Sequence, residues 1–249
     1  MSRSRRFWEK VADDGYGVSK AGRSMATISA PAVLSVTSDQ VVELSGLDWT
    51  GYSKMLRLRG GRSMPRIVYL DGSLLLISPS VPHERLKQRL GLFVSELTIG
   101  LRLSCVQTGQ TTFRRQGKRG GVEGDQSYYL ANADRIKGKR KLDLGDDPPP
   151  DLAIEVVHSH DASAALEVYR RLGVPEVWIC DEAELQILVL HPEDRYEESP
   201  VSRAFPFLQT QEISSRVCQP MSDDDSEWGA DLRLWVRESL EPRLQGRTE

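Results

Sequence analysis

No stretch of this chain is apolar for long enough to cross a bilayer, and the opening MSRSRR is not followed by the apolar segment of a signal peptide. A membrane role is therefore not expected, and the cytoplasm is the expected location. Cysteine is scarce. Cys105, Cys180 and Cys218 are odd in number and widely spaced, which excludes a disulfide framework or a short-spaced zinc site and leaves ordinary buried thiols as the expectation. Lysine is missing altogether after Lys141. Any chemistry that needs an ammonium group in the second half of the chain must borrow it from the first half or use arginine.

What is present suits one globular domain with tails: 249 residues, 39% hydrophobic and 28% charged. The net charge of −3 hides an asymmetry, since residues 1–141 carry 24 Lys and Arg against 12 Asp and Glu, while residues 142–249 carry 9 against 24. The basic half offers a face for phosphate. Its densest run, RIKGKRK at 135–141, contains Lys137, Lys139, Arg140 and Lys141, and RRQGKR at 114–119 lies close by. Both can track a nucleic-acid backbone, and both are equally explained as solvated surface.

Residues 1–37 lack periodicity and read as a flexible N-terminal extension, ahead of a domain at 38–215 and a C-terminal acidic turn and docked helix at 216–249. Trp49, Tyr52, Met55 and Leu56 recur at helical spacing, predicting a short amphipathic helix at 48–59. Two apolar runs flank Asp71-Gly72, the dipeptide of a tight β-hairpin turn. From Pro82, the spacing of Leu86, Leu90, Phe93, Val94 and Leu97 predicts a helix of about five turns with Ser80 as its cap. Strands are expected at 104–113 and 122–130, separated by a Gly/Arg/Lys loop. DLAIEVV after GDDPPP has the pattern of a strand buried on both faces. A helix at 161–172 and strands at EVWICD and ELQILVL complete a strand–helix–strand unit, and Trp228, Leu232, Trp235, Val236 and Leu240 mark a last helix.

Glu155 is the most informative residue, because a carboxylate in an apolar strand is expensive to bury unless it is paired, protonated or bound to a cation. Strand alternation turns Asp151 and Glu155 to one face, and pairing with GDQSYYL would bring Asp125 to both. Such hard oxygen donors suit magnesium or manganese. Taken alone, Asp151 after three prolines is better explained as a turn cap, Asp125 beside glycines as a turn residue, and Glu84 as a helix-start acid. The string HSHD at 158–161 reads as a strand-to-helix loop rather than a zinc site.

The segments YLDGSLLLISPSVPHERL, EGDQSYYL, and above all PPPDLAIEVV followed by LEVYRRLGVPEVWICD resemble the Uma-type family of restriction endonucleases, within the PD-(D/E)XK nuclease-like superfamily, over roughly residues 40–190. The resemblance implies an α/β (α+β) restriction-endonuclease-like fold: a central mixed sheet flanked by helices. It also implies Mg2+- or Mn2+-dependent hydrolysis of phosphodiester bonds, with nucleic acid, DNA first, as the partner and a homodimer as a compatible assembly. Carried over, Asp125 and Glu155 match the family's metal ligands, Asp151 the acid of its PD element, and Glu84 the acid of its His-Glu pair, with His83 a contact around the site. One position departs from the pattern. The family's lysine ahead of Leu166 and Tyr169 is here Ala165, and Lys87, three residues after Glu84, or Arg170 are the candidate replacements. An active nuclease and a nuclease-fold nucleic-acid-binding or regulatory module that no longer cleaves are the two resulting readings.

Overall fold

The computed structural model describes residues 37–158, 161–220 and 224–245. The expected N-terminal extension at 1–37 lies, but for its last residue, outside them, as do His160 of the HSHD string and the start of the acidic turn at 222–223. The described chain is a mixed α/β structure with two sheets rather than the one expected.

The first sheet is antiparallel, in the order β1 (Gln40–Leu44), β3 (Ser73–Ser78), β2 (Arg66–Leu70), β6 (Gly120–Glu123) and β5 (Thr112–Arg115). The β2–β3 hairpin turns at Asp71 and Gly72, whose φ values of 49° and 105° are both positive, as two-residue hairpin turns demand. Helix α1 (Trp49–Arg59) starts from Asp48, whose carboxylate accepts the Gly51 N–H, and its Tyr52 stacks on Tyr69 of β2 at a centroid distance of 4.6 Å. The expected Gly/Arg/Lys loop is shorter than its composition suggested. Residues 116–118 make one 3-10 turn, and Gly120–Glu123 form a strand that pairs with β2 and β5.

The second sheet is mixed: β11 (Tyr196–Glu198), β10 (Leu185–Leu190), β9 (Glu176–Cys180), β8 (Leu152–Val156), β7 (Gln126–Tyr129) and β4 (Val106–Gln107). Only β8 and β9 run parallel, joined through α4 (Ser163–Leu172), the expected strand–helix–strand unit. The long helix α2 (Val81–Gly100) begins at Ser80, whose hydroxyl accepts from the His83 N–H. Its Leu86, Leu90, Phe93, Val94 and Leu97 form one core with Leu152, Ile154, Val156 and Trp178, each fully buried leucine contributing about 2 kcal/mol. Alternate residues of β8 face the other way. Ala153 packs with Val168, Tyr169 and Val177 in a second core, so Glu155 points toward α4 and away from α2's apolar stripe.

A four-residue helix, α3 (Ala133–Ile136), follows β7. Helix α5 (Thr210–Val217) and the C-terminal α6 (Asp225–Trp235), which continues through a π turn at Val236–Leu240 into α7 (Glu241–Gln245), add Ile213, Leu232, Val236 and Leu240 to the first core. Among the described residues no helix is long and apolar enough to cross a membrane.

Candidate functional site

Five charged or polar side chains from five separate segments meet at one place, drawn from interior strands of both sheets, the link between them and two helices. Arg66 opens β2, His83 stands in the first turn of α2, Asp125 sits in the two-residue link between β6 and β7, Glu155 lies near the end of β8, and Tyr169 projects from α4. Arg66 is the hub. Its Nη1 donates toward Asp125 Oδ1 at 3.1 Å, Glu155 Oε2 at 3.2 Å and the Glu123 carbonyl oxygen at 3.2 Å. Tyr169 donates its hydroxyl to Glu155 Oε1 at 2.6 Å, and the Val156 N–H donates to Asp125 Oδ2 at 2.9 Å. On the far side His83 bridges two acids, with Nε2 3.0 Å from Asp125 Oδ1 and Nδ1 2.9 Å from Asp39 Oδ2. A line of alternating charge thus runs Asp39, His83, Asp125, Arg66, Glu155.

Burial sets the electrostatics. Arg66, His83 and Asp125 are fully buried and Glu155 keeps 4% of its surface. Burial pushes against ionisation of Asp125, but the Arg66 guanidinium and His83 overcome it and hold this carboxyl below its usual range. Glu155 goes the other way: burial, opposed by Arg66 and reinforced by Asp125, pushes its pKa up to about 7. His83 is disfavoured as a cation by burial, yet its hydrogen bond and charge contact with Asp125 raise its pKa overall. Asp125 is therefore the standing anion and Glu155 the acid that accepts a proton first.

The backbone around the acids is fixed closely. Glu123, itself buried, receives both nitrogens of the Arg59 fork and the Ile67 N–H, which anchors the strand whose carbonyl faces Arg66. Between Glu123 and Asp125, Gly124 has no room for a side chain. A Cβ there would lie 2.0 Å from the Tyr169 hydroxyl and 2.9 Å from Glu155 Oε1.

Three expected site residues, Asp151, Glu84 and Lys87, are elsewhere. Asp151 does not join Asp125 and Glu155. Its carboxylate accepts the N–H groups of Leu130 and Asn132, at 2.7 and 2.9 Å, and the Asn132 amide at 2.6 Å. It stands just ahead of β8, where the unpaired N–H groups that follow β7 claim it as a turn cap. Glu84 is the neighbour of His83 on α2, and about 100° of helical rotation turns it outward when His83 turns in. It pairs with Lys87 at 3.1 Å, and Lys87 bonds to no other group among the described residues. Lys87 does not replace the missing lysine at the acids. Nor does Arg170, which is held by Glu167 and Asp194. Ala165 is buried one helical turn before Tyr169, in the apolar cluster of α4. The cation at the acids is Arg66, which no sequence signal singled out.

Of the four basic residues expected to contact nucleic acid, Arg140 is exposed, and the other three divide similarly. Lys137 pairs with Asp134 at 2.6 Å, and Lys139 pairs with Asp147. Lys141 lines an open cavity of about 270 Å³ together with Arg114 and Trp49, and the Arg114 guanidinium lies 5.9 Å from the Trp49 ring. The two basic runs therefore meet at one aromatic-floored groove through Arg114 and Lys141. Thr112, which also lines it, donates its hydroxyl to Glu123.

Among the described residues no group of three or more His, Cys, Asp or Glu side chains is arranged to hold a metal. The donor set at Arg66 is two carboxylates and a carbonyl. These three hard oxygens converging on one cationic nitrogen fit magnesium or manganese, with the guanidinium as stand-in; the two cations exclude one another at that point. Arg66 Nε and Nη2 are buried with no acceptor, so the guanidinium is only partly satisfied where it rests.

The model of a family described as "Putative restriction endonuclease" matches residues 52–219, more than half of the chain. No curated protein matches it. A solved structure titled as a "putative nuclease" from Anabaena variabilis ATCC 29413 is 15% identical, over 69% of this chain and 92% of that one, with a TM-score of 0.40.

Proposed function

Since the chain belongs to the Uma2 family of restriction-endonuclease-like proteins, we propose that it is a nuclease that hydrolyses phosphodiester bonds of nucleic acid, DNA in the first place, at the Asp125–Glu155 centre. The observation that carries this reading is the convergence of Asp125 Oδ1, Glu155 Oε2 and the Glu123 carbonyl oxygen on one cationic nitrogen. Asp125, Glu155 and the Glu123 carbonyl would hold a divalent cation, which would supply Lewis-acid activation of the phosphate and of water. His83 holds Asp125 in place and in its ionised form, and Tyr169 fixes the second carboxylate through Oε1. Arg66, if such a cation took its place at the acids, would be available to neutralise charge growing on the phosphate, in the role that the family resemblance gives to a lysine at position 165. A guanidinium serves that role by charge and hydrogen bonding, not by proton transfer. Trp49, Arg114 and Lys141 supply a stacking surface and two phosphate contacts for the strand.

The second reading, a module that binds nucleic acid without cutting it, is favoured by Ala165 and by the burial of every side chain at the centre. Plasmid cleavage in magnesium and in manganese separates the two. The nuclease reading expects cleavage that Asp125→Asn and Glu155→Gln each reduce by at least about 100-fold, with DNA affinity retained. It also expects Ala165→Lys to raise cleavage. Binding without cleavage by the wild type and by Ala165→Lys alike, in either metal, would overturn it in favour of the second reading.

A further inference from the structure

All three cysteines are free thiols, but two of them lie together. Cys180, the last residue of β9, and Cys218, the first residue after α5, are 38 positions apart in sequence, yet their Sγ atoms are 3.8 Å apart. We propose that Cys180 and Cys218 are a redox pair that forms a disulfide by exchange with a low-molecular-weight disulfide of the glutathione class.

The two sulfurs have distinct roles. Cys180 is buried, whereas Cys218 is half-buried and lines a cavity of about 530 Å³ with Val81, Pro82 and Glu182. Only Cys218 is open to a reagent. Either sulfur can donate to the other, both thiols also reach the Asp181 carbonyl oxygen, at 3.3 Å from Cys180 and 3.7 Å from Cys218, and the Ser214 hydroxyl donates to Cys218 at 3.7 Å. The neighbouring sulfur, the Ser214 hydroxyl and the charge of Arg89 lower the Cys218 pKa against burial and Asp181, while the neighbouring sulfur and burial raise that of Cys180. Arg85, which pairs with Asp225 at 3.5 Å, also stands on the cavity wall.

The chemistry balances without further reactants. The Cys218 thiolate attacks one sulfur of the small disulfide, and one small thiolate leaves. Cys180 then gives up its proton and attacks the Cys218 sulfur, and the second small thiolate leaves. Two cysteine thiols are oxidised, one small disulfide is reduced to two thiols, and the protons released by the cysteines end on those thiols. The sulfurs must close by less than about 2 Å to reach bonding distance. The bond would tie the end of α5 to the end of β9, one residue pair beyond Glu155 in the β8–β9 register, where Val156 faces Cys180.

The test uses the full chain, oxidised glutathione and peptide mapping without reduction. Free thiols are expected to fall from three to one, with Cys105 left reduced and a single cross-link joining the Cys180 and Cys218 peptides; a reducing agent restores all three. Cys180→Ser should stop at the first step and retain one glutathione on Cys218, whereas Cys218→Ser should leave Cys180 unmodified. Oxidation of the wild type should also raise the thermal midpoint by on the order of 5–10 °C, reversibly. Three thiols persisting in excess reagent, or a cross-link that includes Cys105, would overturn the proposal. Should Cys180→Ser fail to fold, the wild-type map and Cys218→Ser decide alone.

Discussion

Glu155 and Glu176 stand on adjacent parallel strands, both buried among apolar and β-branched neighbours, and they solve the same electrostatic problem in opposite ways. Glu176 is surrounded by neutral donors. Its Oε1 accepts from Trp178 Nε1 and the Ser202 hydroxyl, at 2.5 and 2.7 Å, and its Oε2 accepts the N–H groups of Arg203 and Ala204, at 2.5 and 2.9 Å. No cation pairs with it among the described residues. Glu155 instead shares one guanidinium with a second carboxylate and takes a tyrosine hydroxyl on its other oxygen. A buried acid by itself therefore says little about chemistry. An acid held only by neutral donors ties a loop to a strand, whereas two acids competing for one cation leave a cation-shaped place between them.

The largest effect should come from removing that cation. Arg66→Met leaves Asp125 and Glu155 facing each other in a dry interior, and loss of one partner from a buried ion pair costs about 3–5 kcal/mol. Chemical denaturation should show this loss, and manganese should recover much of it by occupying the vacated position. A midpoint indifferent to manganese would show that the two acids do not take a divalent cation.

Glu176→Gln should cost less, about 2 kcal/mol, because the amide NH2 would confront the Arg203 and Ala204 N–H groups. Nuclease activity and metal affinity should not change, and a marked loss of either would break the contrast between the two acids. This substitution also has a pH signature. Burial, opposed by its four donors, raises the Glu176 pKa above its ordinary 4.5. Its protonated form thus contributes stability that is fully present below about 4.5 and lost as pH rises through the folded value. Stability measured against pH should lose that part of its slope in Glu176→Gln.

The smallest effect belongs to the surface. Arg114→Ala with Lys141→Ala should flatten the salt dependence of DNA binding by about one unit of slope for each phosphate no longer neutralised. Lys137→Ala with Lys139→Ala should do less, because both ammonium groups already face aspartates. Equal effects from the two pairs would remove the groove at Trp49 from the binding path.

The elements were legible from sequence wherever periodicity or turn chemistry was local: the Asp71-Gly72 hairpin, the Ser80-capped helix and the apolar strand around Glu155. At the site, legibility stopped where partners are distant. The burial argument that singled out Glu155 applies with equal force to Glu176, and sequence could not tell them apart because their partners lie elsewhere in the chain. Arg66 at the start of RIVYL looks like a surface residue at a strand's end. Its burial follows from pairings with Asp125 and, 89 residues away, with Glu155. Asp151 misled for the opposite reason, since side-chain alternation was extended one residue past the strand, where a turn's unmet N–H groups decide its direction.

The centre draws on positions from Asp39 to Tyr169, and no two of its six charged or hydroxyl-bearing groups share a helix or strand. During synthesis the segments bearing Arg66, His83 and Asp125 leave the ribosome well before Glu155 and Tyr169. Until those arrive, Asp125 lacks both the second acid and the Val156 N–H that fixes its free oxygen. A nascent or truncated chain that ends before β8 therefore carries two of the three donor oxygens and none of the geometry, so the phosphate-directed chemistry proposed for the folded protein is withheld from incomplete products of its own translation.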